Sequence, residues 1–325
     1  MPRLAIALLA LLGLGATDCA NPECVKLGHP GAAYWKDPAA ELTRQLQGGG
    51  AKAKTVVPIN LRDLGGVEKA FDILTNKHVD VAVVPHAIFA RKVPAFDVLN
   101  LPAEIRDLRH AGRVSGSSLE KRLRDEAAKA KLRLLGFAWR GGTFYSKVKC
   151  LVSPLDVRGA KILDGRDQHA TVLTSAGASV VELGPEIFLA FDRGLGDSVL
   201  VTIELLDVLK PGGQKHCLTR PGTSPFMILA AVIVATLDPG GTDTLGPPIV
   251  DRLGTFGPQA TVRVERAGEA LEKKYAAAKA EVKPMGEKER AEWDKLAAPL
   301  TGDYLKRVES GKVLLDELRK LREAR

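Results

Sequence analysis

The chain has 325 residues, of which 45% are hydrophobic and 26% are charged, and its formal net charge is +8. This length exceeds that of a typical single domain, so we expect two lobes or domains. Lys and Arg are interleaved with Asp and Glu along the chain rather than gathered in blocks, and this pattern argues against a nucleic-acid partner.

The first residues have the composition of a secretory signal peptide. Met1, Pro2 and Arg3 give a short basic start, residues 4–14 are apolar, and Gly15 and Ala16 are small residues suited to cleavage. No other segment reaches the roughly 20 apolar residues of a transmembrane helix. We therefore expect cleavage near Ala16 and a soluble, exported, periplasmic protein. Lipid attachment at Cys19 is a weaker alternative, because Asp18 precedes that cysteine.

The first half of the chain alternates strand and helix patterns, with helix caps and glycine stops at the boundaries. The predicted strands are 25–29, 55–59, 80–84 and 132–139, and the predicted helices are 37–46, 66–74, 104–113 and 118–130. The βαβαβ order of the first five elements predicts a doubly wound parallel sheet.

Residues 147–184 repeat this order and predict a right-handed βαβ crossover. The predicted strands are 150–153, 160–163 and 179–182, and a helix begins at the N-cap Asp167 and ends before Gly177. A helix at 185–194 and strands at 198–203, 216–220 and 226–234 follow. From residue 259 onward, we predict two long charged helices separated by residues 283–286.

Several of these stretches resemble one known family. SPLDVRGAKIL (153–163) and AGASVVELGPEIFLAFDRGLGDS (176–198) are similar to the P-D-L-K-G-L-K-I-R and L-G-A-x-P-V … E-x-Y-x-A-L-x-x-G-x-x-D-G motifs of its members. In the first half, GGVEKAFDIL (65–74) and PAFDVLNLP (94–102) match further motifs. The family is that of the solute receptors of tripartite ATP-independent periplasmic (TRAP) transporters, and the resemblance covers the chain from about Cys24 to its C-terminus.

The elements and the resemblance together predict an α/β protein of two doubly wound lobes joined by hinge strands, like periplasmic binding proteins, with long C-terminal helices. The predicted segments are a signal peptide at 1–16, lobe I at 24–140 plus 221–260, lobe II at 141–220, and C-terminal helices at 261–325 packed across the lobes. The resemblance implies that a small organic ligand binds between the lobes and is delivered to membrane permease subunits.

Signatures of catalysis are missing from the sequence. It has no P-loop, no G-x-S-x-G motif and no paired-cysteine metal spacing, so we predict neither an enzyme nor a cofactor nor a metal site. A thiol site built from Cys150 or Cys217 with His169 or His216 is a weaker alternative.

The ligand contacts that the resemblance implies are altered here. Leu163 stands where the family carries an arginine for the ligand carboxylate, Phe144 falls at a second basic position, and Val201 falls at an asparagine. Ordinary core packing explains each of these residues equally well. Arg140 and Arg166 are candidate substitutes for the missing arginines, although surface exposure would account for both. The remaining candidate ligand contacts are His86, Trp35 and Phe188.

The expected ligand is therefore less acidic or more apolar than the family's usual carboxylates, because an unpaired carboxylate against apolar side chains would cost several kcal/mol. An exported carrier or sensor of lipid-like molecules, without a transport role, is the alternative. A homodimer is compatible with the long C-terminal helices.

The four cysteines suit an oxidising compartment. Cys150 and Cys217 lie beside strands at the boundary of lobe II, and we predict a disulfide between them with Cα atoms about 4.4 to 6.8 Å apart. The alternative is a pair of buried free thiols. Cys19 and Cys24 are expected in a mobile N-terminal tail, held by their mutual bond.

Overall fold

The computed structural model describes residues 24–31, 43–44, 55–164, 167–183, 186–206, 216–224, 226–237, 245 and 247–322. One compact unit ends at Ala82 and a second begins at Val83. Within the described ranges, no helix combines the length and the apolar character that crossing a bilayer requires. The predicted signal peptide lies outside the described residues.

The first unit is built on parallel strands. Strand β1 (Cys24–His29) pairs in parallel with β2 (Thr55–Asn60) on one side and with the start of β3 (Val81–Pro85) on the other. A 3₁₀ turn at Val67–Lys69 leads into helix α1 (Ala70–Thr75). The predicted strands and the second predicted helix of this region are confirmed, while most of the first predicted helix lies outside the described residues.

Cys24 is not part of a mobile tail, and that prediction is wrong. It begins β1 in register with Thr55, so ladder hydrogen bonds fix its backbone. Cys24 is disulfide-bonded, and Cys19 lies outside the described residues.

The second unit begins with short helices. They are α2 (His86–Lys92), a 3₁₀ helix at Pro94–Asn100, α3 (Leu108–Gly112) and α4 (Ser118–Lys129). The helix predicted at 104–113 is thus shorter than expected, whereas α4 matches its predicted range closely. Ser117 accepts a hydrogen bond from the Glu120 N–H and caps α4.

Strand β4 (Leu132–Ser146) is a long strand of 15 residues that pairs with three other strands of the second unit. Its extension past Trp139 was not predicted, and the strand predicted at 150–153 is absent. Gly141 and Gly142 lie inside β4; a Cβ atom on Gly141 would lie 2.7 Å from Ile203 Cδ1, so a larger residue there would require the Ile203 side chain to move. Residues 154–157 form a single helical turn, α5 (Pro154–Val157), whose N-terminus is capped by a Ser153–Asp156 capping box.

The sheet of the second unit has the strand order β9-β4-β7-β5-β6. Strand β4 pairs antiparallel with β9 (Met227–Thr236) and β7 (Ser198–Thr202). Strand β5 (Lys161–Asp164) lies between β7 and β6 (Ser179–Glu182) and is parallel to both. Strand β8 (Cys217–Thr219) pairs with β4 and with β10 (Glu281–Lys283).

Helices cover this sheet and end the chain. The helices between its strands are α6 (Asp167–Ser175), α7 (Ile187–Asp192) and α8 (Ile203–Leu206), and the C-terminal helices are α9 (Pro247–Ala277), α10 (Glu287–Arg307) and α11 (Gly311–Lys320). Helix α10 spans two regions, since Trp293 Nε1–H donates to the Val152 carbonyl and Tyr304 O–H donates to the Ala95 carbonyl. The predicted α/β class with long C-terminal helices is confirmed.

The disulfide between Cys150 and Cys217 is confirmed, with Cα atoms 5.0 Å apart. It ties the loop after β4 to β8. Because both sulfur atoms are bonded, the alternative of a cysteine–histidine site has no thiol, and that alternative is wrong.

Candidate functional site

The strand register places on different faces of the sheet the three apolar residues that stand at the family's polar ligand positions. Phe144 pairs with Leu200, whereas Val201 pairs with Thr143 and Leu163 pairs with Val199. Side chains alternate between faces along a strand, so Phe144 lies on one face of the sheet and Leu163 and Val201 lie on the other. The three side chains therefore do not lie on one face of this sheet.

Packing contacts account for Phe144 and Leu163, and Val201 is buried. Phe144 belongs to a buried cluster with Ile162 and Leu200, and its ring lies edge-to-face against Phe226 with centroids 5.5 Å apart. Leu163, on the opposite face, is fully buried against Gly196. Their roles as individual ligand contacts stay predictions.

A group of buried polar residues lies on the same face as Phe144, where β5 and β7 end. Asp164 is the last residue of β5 and Thr202 the last of β7, while His169 lies in the first turn of α6. Arg140 lies on β4, two residues beyond Gly142, which pairs with Thr202. We call these four residues the polar end cluster. Ligands of parallel sheets bind at such carboxyl ends.

The polar end cluster is almost completely inaccessible to solvent. The exposed fractions are 5% for Arg140, 1% for Asp164, 0% for His169 and 4% for Thr202. His169 Nδ1 is 3.9 Å from Asp164 Oδ2, and the imidazole packs edge-to-face on Phe226 with centroids 5.2 Å apart. Thr202 Oγ1 is buried and has no hydrogen-bond partner among the described residues. Charged groups this deeply buried are uncommon unless they serve structure or binding.

The other candidate contacts lie elsewhere or cannot be placed. His86 is buried, and its Nε2–H donates to the Phe96 carbonyl over 3.1 Å, which gives it a structural role within the fold. Phe188 is half-buried on α7. Trp35 and Arg166 lie outside the described residues. Of the predicted set, only Arg140 belongs to the polar end cluster.

Sequence reasoning missed Asp164 and Thr202 as candidate site residues and considered His169 only as a partner of a cysteine thiol. The signal was available, because Asp164 follows the predicted strand at 160–163 and Thr202 lies at the end of the one at 198–203. Polar residues at the carboxyl ends of adjacent parallel strands are brought together by the fold.

An aromatic group occupies the opposite face of the sheet. Tyr145 hydroxyl is hydrogen-bonded to His216 Nδ1 at 2.5 Å, and its ring lies edge-to-face on Tyr275 with centroids 4.9 Å apart. Burial, and to a smaller extent the charge of Lys147, lowers the pKa of His216. These contacts describe a packed core.

Comparisons with known proteins show which sequences and structures the chain resembles. Residues 48–197 match the model of bacterial extracellular solute-binding protein family 7, DctP. A solute-binding protein from Albidiferax ferrireducens is 26% identical over 137 residues, which are 41% of this chain and 39% of that protein. The match thus spans about two fifths of that curated relative.

Solved structures share the fold over most of the chain. A TRAP periplasmic solute-binding protein from Rhodoferax ferrireducens, with bound malonate, has a TM-score of 0.71 at 18% identity and covers 92% of this chain and 98% of its own. A Bordetella pertussis extracytoplasmic solute receptor binding pyroglutamic acid has a TM-score of 0.68 at 15% identity and covers 91% and 99%.

A third structure, a TRAP solute-binding protein from Ochrobactrum anthropi with its C-terminus in the ligand-binding pocket, has a TM-score of 0.75 at 15% identity and covers 92% and 95%. At these identities the structures establish the fold, while the family model matches the sequence over residues 48–197. Residues 48–197, just under half of the chain, thus match the DctP family of solute-binding proteins, and solved TRAP periplasmic solute-binding proteins share the fold, in agreement with the resemblance found in the sequence.

Proposed function

We propose that the protein is a receptor that captures one small organic ligand and delivers it to TRAP-type membrane permease subunits. The family supports this proposal, as do similar proteins that were solved with malonate and with pyroglutamic acid. The sheet of the second unit supplies a place for such a ligand at the carboxyl ends of β5 and β7.

The polar end cluster is the observation that carries the proposal. Around it the same face is apolar, with Phe144, Leu200 and Phe226 packed together. A few buried polar groups in apolar surroundings are typical of sites that orient a small molecule.

The ligand is less acidic than a dicarboxylate. At position 163, where the resemblance implies an arginine, a buried leucine faces away from the cluster, and the next residue is the buried carboxylate of Asp164. A second carboxylate on the ligand would meet a like charge there, which disfavours it in a medium of low dielectric constant.

The predicted lobe boundary passes through the cluster. Arg140 ends the first segment of lobe I, whereas Asp164, His169 and Thr202 belong to lobe II. A ligand that contacts both segments binds best when they approach each other, and this differential affinity would drive closure. A permease would then distinguish the loaded receptor from the empty one by its shape.

A thermal-shift panel tests the proposal. Dicarboxylates, sugar acids, monocarboxylates, net-neutral compounds and lipid-like molecules are compared at equal concentration. We expect the largest rise in Tm from compounds with a net charge near zero, because a ligand that binds only the folded state stabilises it. Strong stabilisation by dicarboxylates alone would refute the less acidic ligand, and a response to lipid-like molecules alone would favour the carrier alternative.

A further inference from the structure

We infer that the ligand is a zwitterion, with its carboxylate bound by Arg140 and its ammonium group bound by Asp164. This inference rests on the proposed function, since it names the ligand class of the same receptor. It begins from one arrangement: a buried cation and a buried carboxylate lie on one face of the sheet, with a buried hydroxyl between them.

The strand register fixes the order of the three residues. Arg140 is on β4, Thr202 on the neighbouring β7, and Asp164 on β5 beyond it. Thr202 pairs with Gly142, two residues from Arg140, and Asp164 pairs with Leu200, two residues from Thr202. Thr202 therefore lies midway, one strand and two residues from each charged residue.

The spacing suits a small molecule. Neighbouring strands lie about 4.8 Å apart, and each residue advances about 3.4 Å along its strand. The separation of the Arg140 and Asp164 Cα atoms therefore has a component of about 10 Å across the strands and a component of about 14 Å along them. A long arginine side chain, a short aspartate side chain and a ligand of a few heavy atoms fit within that span.

The chemistry of the two ends selects the charges of the ligand. A guanidinium group pairs with a carboxylate through two parallel hydrogen bonds. The Asp164 carboxylate, with His169 Nδ1 at 3.9 Å, accepts hydrogen bonds and attracts a cation. A zwitterion complements both ends at once, whereas a dicarboxylate complements only Arg140 and a diamine only Asp164.

The Thr202 hydroxyl provides a second, independent indication of a ligand. Its Oγ1 atom is buried and has no hydrogen-bond partner among the described residues. Buried hydroxyl groups are nearly always hydrogen-bonded, and each exception calls for a reason. A ligand group between Arg140 and Asp164 would supply the missing bond.

The first test is isothermal titration calorimetry with matched compounds. The probes are the twenty common amino acids, the matching 2-hydroxy acids, in which a hydroxyl group replaces the amino group, and the matching amines, in which the carboxyl group is absent. We expect at least one amino acid to bind, and its hydroxy acid and its amine to bind at least about tenfold more weakly, because each lacks one of the two charged groups that the cluster binds.

The second test uses variants of the polar end cluster. Asp164→Asn should remove the preference for the amino acid over its hydroxy acid. Arg140→Gln should remove the preference for the amino acid over its amine. Asp303→Asn and Arg158→Gln are controls on exposed residues outside the polar end cluster. Both controls should leave the two preferences unchanged.

Thr202→Val covers the case in which the charge variants do not fold. It should weaken binding of the amino acid severalfold while the Tm of the free protein stays equal or rises, because valine removes a buried hydroxyl that lacks a partner. A purely structural threonine would lower the Tm instead.

The outcomes separate this inference from the proposed function. If an anion or a neutral compound binds at least as tightly as every amino acid, or if Asp164→Asn keeps the amino-acid preference, the zwitterion is wrong while the receptor stands. If no compound binds here or in the thermal-shift panel, both fail.

Discussion

Replacing Glu104 with glutamine should loosen the C-terminal helices. Glu104 lies after the 3₁₀ helix at Pro94–Asn100, its side chain is 7% exposed, and it accepts hydrogen bonds from two arginines near the C-terminus. Arg319 Nε and Nη2 lie 3.0 and 2.5 Å from its two oxygens, and Arg322 Nη2 lies 2.5 Å from Oε2. The carboxylate thereby holds α11 and the residues after it against the body of the second unit.

The magnitude follows from burial. Removing one partner of a fully buried ion pair costs about 3 to 5 kcal/mol. The Arg319 side chain is 46% exposed and that of Arg322 24% exposed, so solvent screens part of the interaction. Glutamine also keeps one acceptor oxygen. We therefore expect Glu104→Gln to lower the free energy of unfolding by about 2 to 3 kcal/mol.

Urea denaturation followed by circular dichroism measures this loss, and hydrogen exchange of the α11 amides locates it. Asp303→Asn is the matched control, since Asp303 forms a largely exposed pair with Lys306 and should leave stability unchanged. A loss below about 0.5 kcal/mol for Glu104→Gln, the level of an ordinary surface pair, would refute the argument that this carboxylate anchors the C-terminal helices.

Three further predictions concern other parts of the second unit. Burial lowers the pKa of His110, whose Nε2–H donates to the Leu318 carbonyl and whose Nδ1 accepts from the Arg106 N–H. Its contribution to stability is therefore complete above the unfolded pKa of about 6.5 and is lost as the pH falls below that value. The urea midpoint should thus change less between pH 7.5 and 5 in His110→Gln than in the wild type. Leu163→Arg should destabilise the fold by several kcal/mol, because it buries an unpaired charge against Gly196. Leu195→Arg is the control, since Leu195 is 54% exposed and the new arginine would remain in solvent. Equal Tm values for the two variants would contradict the buried placement of Leu163. Replacing both Cys150 and Cys217 with serine should cost about 4 kcal/mol, given a sequence separation of 67, and an unchanged urea midpoint would show that the bond contributes nothing.

The parts of the fold that the sequence predicted best depend on local patterns. Strand β6 has its predicted bounds, Ser179–Glu182, because short apolar alternation between a glycine stop and a turn admits few alternatives. Strand β4 was cut short at Trp139, since the glycines at 141 and 142 weaken a strand pattern. The residue that packs closely on Gly141, Ile203, is 62 residues away along the chain and cannot be found from local sequence.

The candidate site was only partly predictable for the same reason. Which face a strand residue occupies depends on register, and register is set by pairing between distant segments. The resemblance supplied the positions of Phe144, Leu163 and Val201, but only the pairing of β4, β7 and β5 shows that they lie on different faces. The pairing also brings Thr202 and Asp164, from separate strands, onto the face that carries Arg140.

Native mass spectrometry of the protein, purified from the expressing cells without refolding, tests the central claim most directly. If the protein is a receptor with its site at the polar end cluster, a fraction of wild-type molecules should carry one small molecule that is released on activation, and Asp164→Asn protein prepared in parallel should carry less of it. Fragmentation of the released ion should show both an amine and a carboxyl group. A folded wild-type protein that carries no small molecule and gains none when incubated with the amino-acid panel would contradict the account.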